Sequence, residues 1–306
     1  MVLLWGLPGD TPFDVVLAEL DRQGVDYRLL NQRRALEHRL DLKFGAEMEG
    51  VLWSGDECIL LQEVTAVYAR VYEAKKIPGI DIASEQRQQE IVELEGALWS
   101  WMDITSARVL NRPAAMASNQ SKPYQAMLIE KEGFSVPETL ITTDPDQAQA
   151  FWSAHGEVIY KSISGIRSVV SRLKQRDEDR LKNISCCPTQ FQAFVPGTDY
   201  RVHVVGEQIF ASKIDSDVDD YRYARQQGKS VTLSAVELPA DIEARCIALS
   251  KTLDLPVAGV DLRLTPDGEW YCFEVNPSPC FTYYEHHTGQ PIAAAVTEYL
   301  ANGAYQ

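Results

Sequence analysis

The chain has 306 residues, 45% of them hydrophobic, enough for a well-buried core and close to the length at which one core gives way to two or three domains. Its 29 Lys and Arg against 44 Asp and Glu leave a formal net charge of -15, which argues against nucleic acid or an anionic membrane as partner, because either polyanion would be repelled. The six cysteines form no CxxC pair and share no metal-type spacing with the five histidines, so neither a zinc site nor a disulfide framework is indicated.

In chain order, residues 2–5 read as an apolar strand, and 12–23 as a helix with Phe13, Val16, Leu17 and Leu20 at helical spacing. Gly24 closes that helix before a second strand at 25–30, a βαβ opening that predicts a small parallel sheet. The start lacks a basic region and a long apolar run, so no signal peptide is expected and a reduced, cytoplasmic protein is. Short strands are expected at 50–53, 58–61 and 66–71, and a helix at 86–101. The texture changes at the Asn111-Arg112-Pro113 turn, followed by a helix at 122–131 that Gly133 ends and a strand at 135–142. Strands at 158–161, 168–173 and 190–195 come next, with a charged helix-like stretch at 177–183 between them. Further strands run through 213, then an irregular acidic loop at 215–228 and a helix at 241–253. A hairpin of 259–264 and 270–276, turning at Pro266-Asp267-Gly268, and a helix at 291–300 end the chain. The expected division is 1–110, 111–195 and 196–306, in an α/β (α+β) fold.

The hairpin carries the strongest chemical signal, Gly259-Val260-Asp261-Leu262-Arg263 followed by Phe273-Glu274-Val275-Asn276-Pro277. Side chains two apart share a face of a strand, so Glu274 and Asn276 lie on one side, and pairing can bring Asp261 to the same side. Two carboxylates and an amide oxygen are hard ligands that suit magnesium, which fills its shell with waters and phosphates.

With that hairpin the chain resembles the ATP-grasp superfamily, and within it the RimK-type glutamate ligases and the microviridin-type peptide ligases. The likeness covers roughly 111–300 in motif content and order, and includes Pro277-Ser278-Pro279 and Thr288-Gly289-Gln290-Pro291-Ile292. It implies an ATP-grasp fold preceded by a Rossmann-like pre-ATP-grasp domain, with ATP and two magnesium ions on Asp261, Glu274 and Asn276. Tyr160-Lys161-Ser162-Ile163-Ser164-Gly165 resembles the family's strand lysine and phosphate loop, and Lys122 the other ATP-contacting lysine. This loop departs from the family in lacking a proline after the lysine and in having less glycine. Gln192-Ala193-Phe194-Val195 resembles the hinge that pairs with adenine through its backbone. By the same resemblance Asp199 meets the ribose region, Arg201 faces phosphate or the substrate carboxylate, and Arg222 stabilises the transferred phosphoryl group. Tyr68 and Arg70 resemble a strand that borders the substrate.

Other candidates carry less. His286 and His287, read as adjacent strand or loop residues, point apart, and Cys186-Cys187 has no nearby histidine to activate a thiolate. The implied activity is ligation through an acyl-phosphate, with a peptide, protein or small-molecule acceptor bearing a carboxylate. Ester or amide links within a precursor peptide are one reading, addition of an amino acid such as glutamate a second, and a non-catalytic nucleotide-binding regulator a third. A homo-oligomer is compatible with each.

Overall fold

The computed structural model describes residues 1–43, 45, 48–78, 84–163, 171–216 and 230–302. Its first part holds β1 (Val2–Gly6), α1 (Thr11–Gln23), β2 (Tyr27–Asn31), β3 (His38–Lys43), β4 (Glu49–Ser54), β5 (Glu57–Leu60), β6 (Ala66–Arg70), α2 (Glu85–Ile104) and β7 (Arg108–Leu110). The expected parallel sheet forms in the order β2-β1-β6-β7, while β3, β4 and β5 make a separate antiparallel sheet. The uninterrupted apolar run of β1 follows from burial on both faces. Val2 and Leu4 pack towards α1, whereas Leu3 and Trp5 join Leu98, Trp101 and Met102 of α2. Pro12 starts α1, and Gly24 ends it in the left-handed region at φ 67°, where a Cβ would be strained.

The middle part contains α3 (Pro113–Met116), α4 (Lys122–Lys131), β8 (Thr139–Thr142), α5 (Pro145–His155), β9 (Val158–Ser162), β10 (Ser171–Arg172) and β11 (Thr189–Ala193). A four-stranded sheet runs β10-β9-β11-β8. One face, with Val158, Tyr160 and Phe191, packs on α5 and on a 3-10 helix at Gln175–Cys186, where a charged helix-like stretch was expected at 177–183. The expected strand at 135–142 splits at Pro137, which has no N–H to donate. Ser135 instead pairs beside Tyr271, its amide donating to Trp270 O at 3.2 Å.

The last part adds β12 (Thr198–Val205), β13 (Gln208–Ser216), β14 (Val231–Val236), α6 (Ala240–Thr252), β15 (Val257–Leu264), β16 (Trp270–Asn276), α7 (Thr282–Thr288) and α8 (Ile292–Ala301). Five antiparallel strands order as β14-β13-β12-β15-β16. Alternation sorts this sheet cleanly. Val202, Val204, Val260, Leu262, Cys272 and Val275 face α4 and α6, leaving Asp199, Arg201, His203, Asp261, Arg263 and Glu274 for the opposite face. α8 returns to the first part, where Ile292, Val296 and Leu300 share a core with Phe13, Val16 and Leu20 of α1. No described helix is long and apolar enough to cross a membrane.

Candidate active site

β12 and β15 each carry an Asp-x-Arg triplet, and their antiparallel register sets Asp199 opposite Arg263 and Arg201 opposite Asp261. Each aspartate therefore meets an arginine across the ladder. Arg201 Nη1 donates to Asp261 Oδ1 at 2.6 Å, and Arg263 grips Asp199 through Nε at 2.6 Å and Nη2 at 3.0 Å. The next strand sets Glu274 opposite Asp261 and Asn276 opposite Gly259, past a register shift that leaves Phe273 as the extra residue. Lys122, in the first turn of α4, completes the row with Nζ 2.7 Å from Glu274 Oε2 and 3.0 Å from Asn119 Oδ1. The row runs Arg201, Asp261, Glu274, Lys122, so a cation flanks the two adjacent carboxylates on each side and offsets their mutual repulsion.

Arg201 is only 6% exposed and lies in a fitted recess. A Cβ on Gly259 would fall 2.0 Å from Arg201 Nη2, so only glycine leaves room for the guanidinium there. His203 Nε2 accepts from Arg201 Nε at 3.5 Å, and the Tyr284 ring centroid is 5.8 Å from the guanidinium carbon. Burial first, and then the Arg201 charge, hold the His203 pKa well below its ordinary value, so the ring is neutral and free to accept.

Among the described residues no group of three or more His, Cys, Asp and Glu side chains is placed to hold a metal. Asp261 and Glu274 with the Asn276 amide are a different set, two carboxylates and one neutral oxygen. The chemistry fits magnesium. Asp261 and Glu274 keep 27% and 29% of their side chains exposed. Asn276 Oδ1 accepts from Ser278 N–H at 2.9 Å, which fixes the amide and leaves its second lone pair.

On the middle sheet, Lys161 stands opposite Gln190, and Gln192 opposite Ile159, on the face turned away from α5. Gln190 Oε1 and Gln192 Oε1 are buried with no hydrogen-bond partner among the described residues, and Gln192 Nε2 donates to Thr139 Oγ1 at 3.0 Å. The backbone of 192–195, the expected hinge, is held from both sides. Ala193 N–H donates to Glu138 O and Phe194 N–H to Glu157 O, each at 2.9 Å, while Val195 O accepts from Arg263 Nη1 at 2.7 Å. Phe194 lies under Arg172, whose guanidinium carbon is 3.7 Å from the ring centroid. A cavity of about 320 Å³ opens beside the hinge, with Phe194, Val195, Val136, Glu138 and Tyr271 in its wall.

Lys122, Arg201, Asp261 and Glu274 thus meet in one row, Asn276 adjoins it, and Asp199 stands nearer the hinge on the same strand face. Ser164, Gly165 and Arg222 lie outside the described residues. His286 and His287 sit on α7 rather than on a strand or loop, their ring centroids 5.2 Å apart. Gly259 and Arg263 stand inside the hairpin motif without a role expected of them, and His203 is not singled out by the sequence. The signal for Arg263 was present, because an Asp-x-Arg triplet repeated on two antiparallel strands places each acid against the other strand's base.

A profile of the RimK-like ATP-grasp domain matches residues 117–300. The chain belongs to this family. Its sequence is similar to the "Probable alpha-L-glutamate ligase" of Klebsiella pneumoniae strain 342, 24% identical over 302 residues, covering 94% of this chain and 96% of that protein. Its ATP-grasp fold is similar to the macrocyclase MdnC of Microcystis aeruginosa MRC, solved bound with precursor peptide MdnA, with a TM-score of 0.83 and 25% identity over 99% of this chain and 100% of that one. It is also similar to the ATP-grasp ligase PsnB, solved with a phosphomimetic variant of a minimal precursor, Mg and ADP, at a TM-score of 0.81 and 24% identity over 99% of this chain and 98% of that one.

Proposed function

We propose that this ATP-grasp ligase acts on a precursor peptide, using ATP to join a side-chain carboxylate to a hydroxyl or amine as an ester or amide. The row Arg201, Asp261, Glu274 and Lys122 carries the reading, because it sets two metal-binding carboxylates between two cations suited to phosphate. A peptide carboxylate attacks the γ-phosphorus of ATP, giving an acyl-phosphate and ADP, and the peptide's own nucleophile then displaces phosphate, losing its proton. The protein's share is position and charge. Two magnesium ions on Asp261, Glu274 and Asn276 would neutralise the phosphate oxygens. Lys122 from α4 and Lys161 from β9 hold the nucleotide phosphates, and Arg201, kept rigid by His203 and Asp261, faces the reacting carboxylate. The backbone of 192–195 takes the adenine, and Asp199 borders the ribose. Arg222, Ser164 and Gly165 would complete the phosphate cradle on the grounds of their sequence match.

Similarity along the whole chain to a named glutamate ligase supports the second reading, transfer of an amino acid to an acceptor. Mass spectrometry of candidate peptides incubated with the protein, ATP and Mg²⁺ separates the two. Internal linkage removes one water per bond, whereas amino-acid addition raises the mass. Asp261→Asn and Glu274→Gln should each lower peptide-dependent phosphate release by about 100-fold or more. Wild-type rates in both variants, or no nucleotide binding by the wild type, would sink the site; binding without peptide-dependent phosphate release would favour the regulator.

A further inference from the structure

We infer that Arg70, in the N-terminal sheet, is a positioning residue that fixes Asn276 for a divalent cation through the turn at Ser278. This rests on the reading of Asn276 as a metal ligand given above. Among the described residues Asn276 Oδ1 is located by one contact, the Ser278 N–H at 2.9 Å, so its place depends on where Ser278 sits. Ser278 is held in turn from another sheet. Arg70 Nη1 donates to Ser278 Oγ at 2.9 Å and to Pro279 O at 3.4 Å, and Nη2 approaches Cys280 Sγ at 3.9 Å. A guanidinium is a rigid planar fork, so fixing one edge aims the other. Asp10 Oδ2 fixes that edge, accepting from Arg70 Nε at 2.5 Å, while Asp10 Oδ1 accepts from Tyr72 OH at 2.8 Å.

Arg70 and Asp10 keep only 8% and 9% of their side chains exposed, so the fork is held in a dry seam where its directions are hard to change. Ser278 itself is exposed. Packing alone gives no reason to aim a buried guanidinium at an exposed hydroxyl. Asn111, the residue after β7, adds a clamp one step earlier, its Nδ2 donating to Pro277 O and Val257 O, each at 2.6 Å. Three consecutive residues after Asn276 are thereby held by groups from residues 70 and 111, and the cation site is completed from outside its own sheet.

The test reads metal binding rather than turnover. Thermal shift of the full chain with ADP, titrated with Mg²⁺, gives the Mg²⁺ concentration at half effect, and Mn²⁺ binding by electron paramagnetic resonance provides an independent value. Arg70→Met should raise both by about tenfold, the size expected for loss of a group that orients a ligand, with ADP affinity at saturating Mg²⁺ unchanged. Ser278→Ala should raise them a few-fold, and the double variant should be no worse than Arg70→Met alone. Arg70→Lys keeps the charge and loses the fork, so it should behave like Arg70→Met. Unchanged midpoints in Arg70→Met, strictly additive effects, or recovery by Arg70→Lys would each overturn the inference; if Arg70→Met does not fold, Ser278→Ala decides alone. If Asp261→Asn and Glu274→Gln leave the midpoints unmoved, the metal site itself fails; if they shift them and Arg70→Met does not, only the role of Arg70 falls.

Discussion

Arg201 shows how much of the site a single missing side chain decides. Gly259 sits beneath it, and an added Cβ would meet Arg201 Nη2 at 2.0 Å, Cζ at 2.5 Å and Pro279 Cβ at 2.9 Å. The arginine can swing aside more readily than the proline, because its far end is flexible, so Gly259→Ala should evict the guanidinium before it unfolds the sheet. Overpacking of this kind costs about 1–3 kcal/mol, which lowers the melting temperature by several degrees. Phosphate release should fall further, by about tenfold or more, since Arg201 loses its approach to Asp261. Thermal denaturation and a phosphate assay on the same preparation check this; a variant that loses stability and keeps full activity would remove Arg201 from the chemistry. The same residue marks what the sequence left open. Asp199 and Arg201 lie two apart on one strand, about 6–7 Å along it, whereas cross-strand partners sit at about 5 Å, so the ladder chooses their partners and register is what the sequence alone does not state.

Among the elements, those with strong period and clear stops were legible. β1, α1 and the β15–β16 hairpin follow from an apolar run, a 3.6-residue repeat ended by Gly24, and a turn at Pro266-Asp267-Gly268 in which Gly268 takes φ 90°. α5 was missed although its signals are there: Asp144 Oδ1 accepts from Asp146 N–H at 2.9 Å, Pro145 starts the helix, and Ala148, Phe151 and Trp152 face the core. β7, with three residues, and α7, with seven, are too short for a period to register, and tertiary packing makes them. The segment 192–195 stands out in the sequence, but its fastening does not, since Arg263 comes from a strand far along the chain. Arg263 ties Val195 O to Asp199 and lies 5.0 Å from the Phe273 ring centroid, so it joins the hinge to the five-stranded sheet. Arg263→Met should leave Asp199 half-buried without that partner and let the hinge drift, raising the ATP concentration for half-maximal binding by about tenfold and lowering the melting temperature. Adding Asp199→Asn should restore much of the stability and little of the affinity; nucleotide titration and thermal denaturation of the single and double variants separate the two effects, and a full return of affinity would make the tie a matter of charge alone.

The first and last parts of the chain share one core, since α1, β1 and β6 pack with α8 and with Val205, Phe210 and Ile214 of the five-stranded sheet. Burial that continuous predicts a single cooperative unfolding of these two parts, so a titrating group in either acts on the same transition. His38 opens β3, and burial first, with Arg34 adding to it, lowers its pKa from 6.5 to about 4. Its Nε2 is buried without a hydrogen-bond partner among the described residues, so a protonated ring finds no acceptor at that nitrogen, and the Glu37 charge offsets only part of the penalty. His203, in the last part, is shifted in the same direction. The unfolded chain takes up these protons near pH 6.5 and the folded chain does not, so the stability present above that pH is lost as the pH falls towards 4, with His38 accounting for at most about 3 kcal/mol. Burial raises Glu95 and Glu285 instead, which favours the folded state as acid is added and opposes the loss at the lower end of the range. His38→Leu removes one proton site and no hydrogen bond at Nε2. Melting temperatures of wild type and variant should therefore agree near pH 8 and diverge below pH 6.5, the variant falling less; parallel curves down to pH 4.5 would show that His38 is accessible to the proton in the folded chain and that the acid sensitivity lies elsewhere.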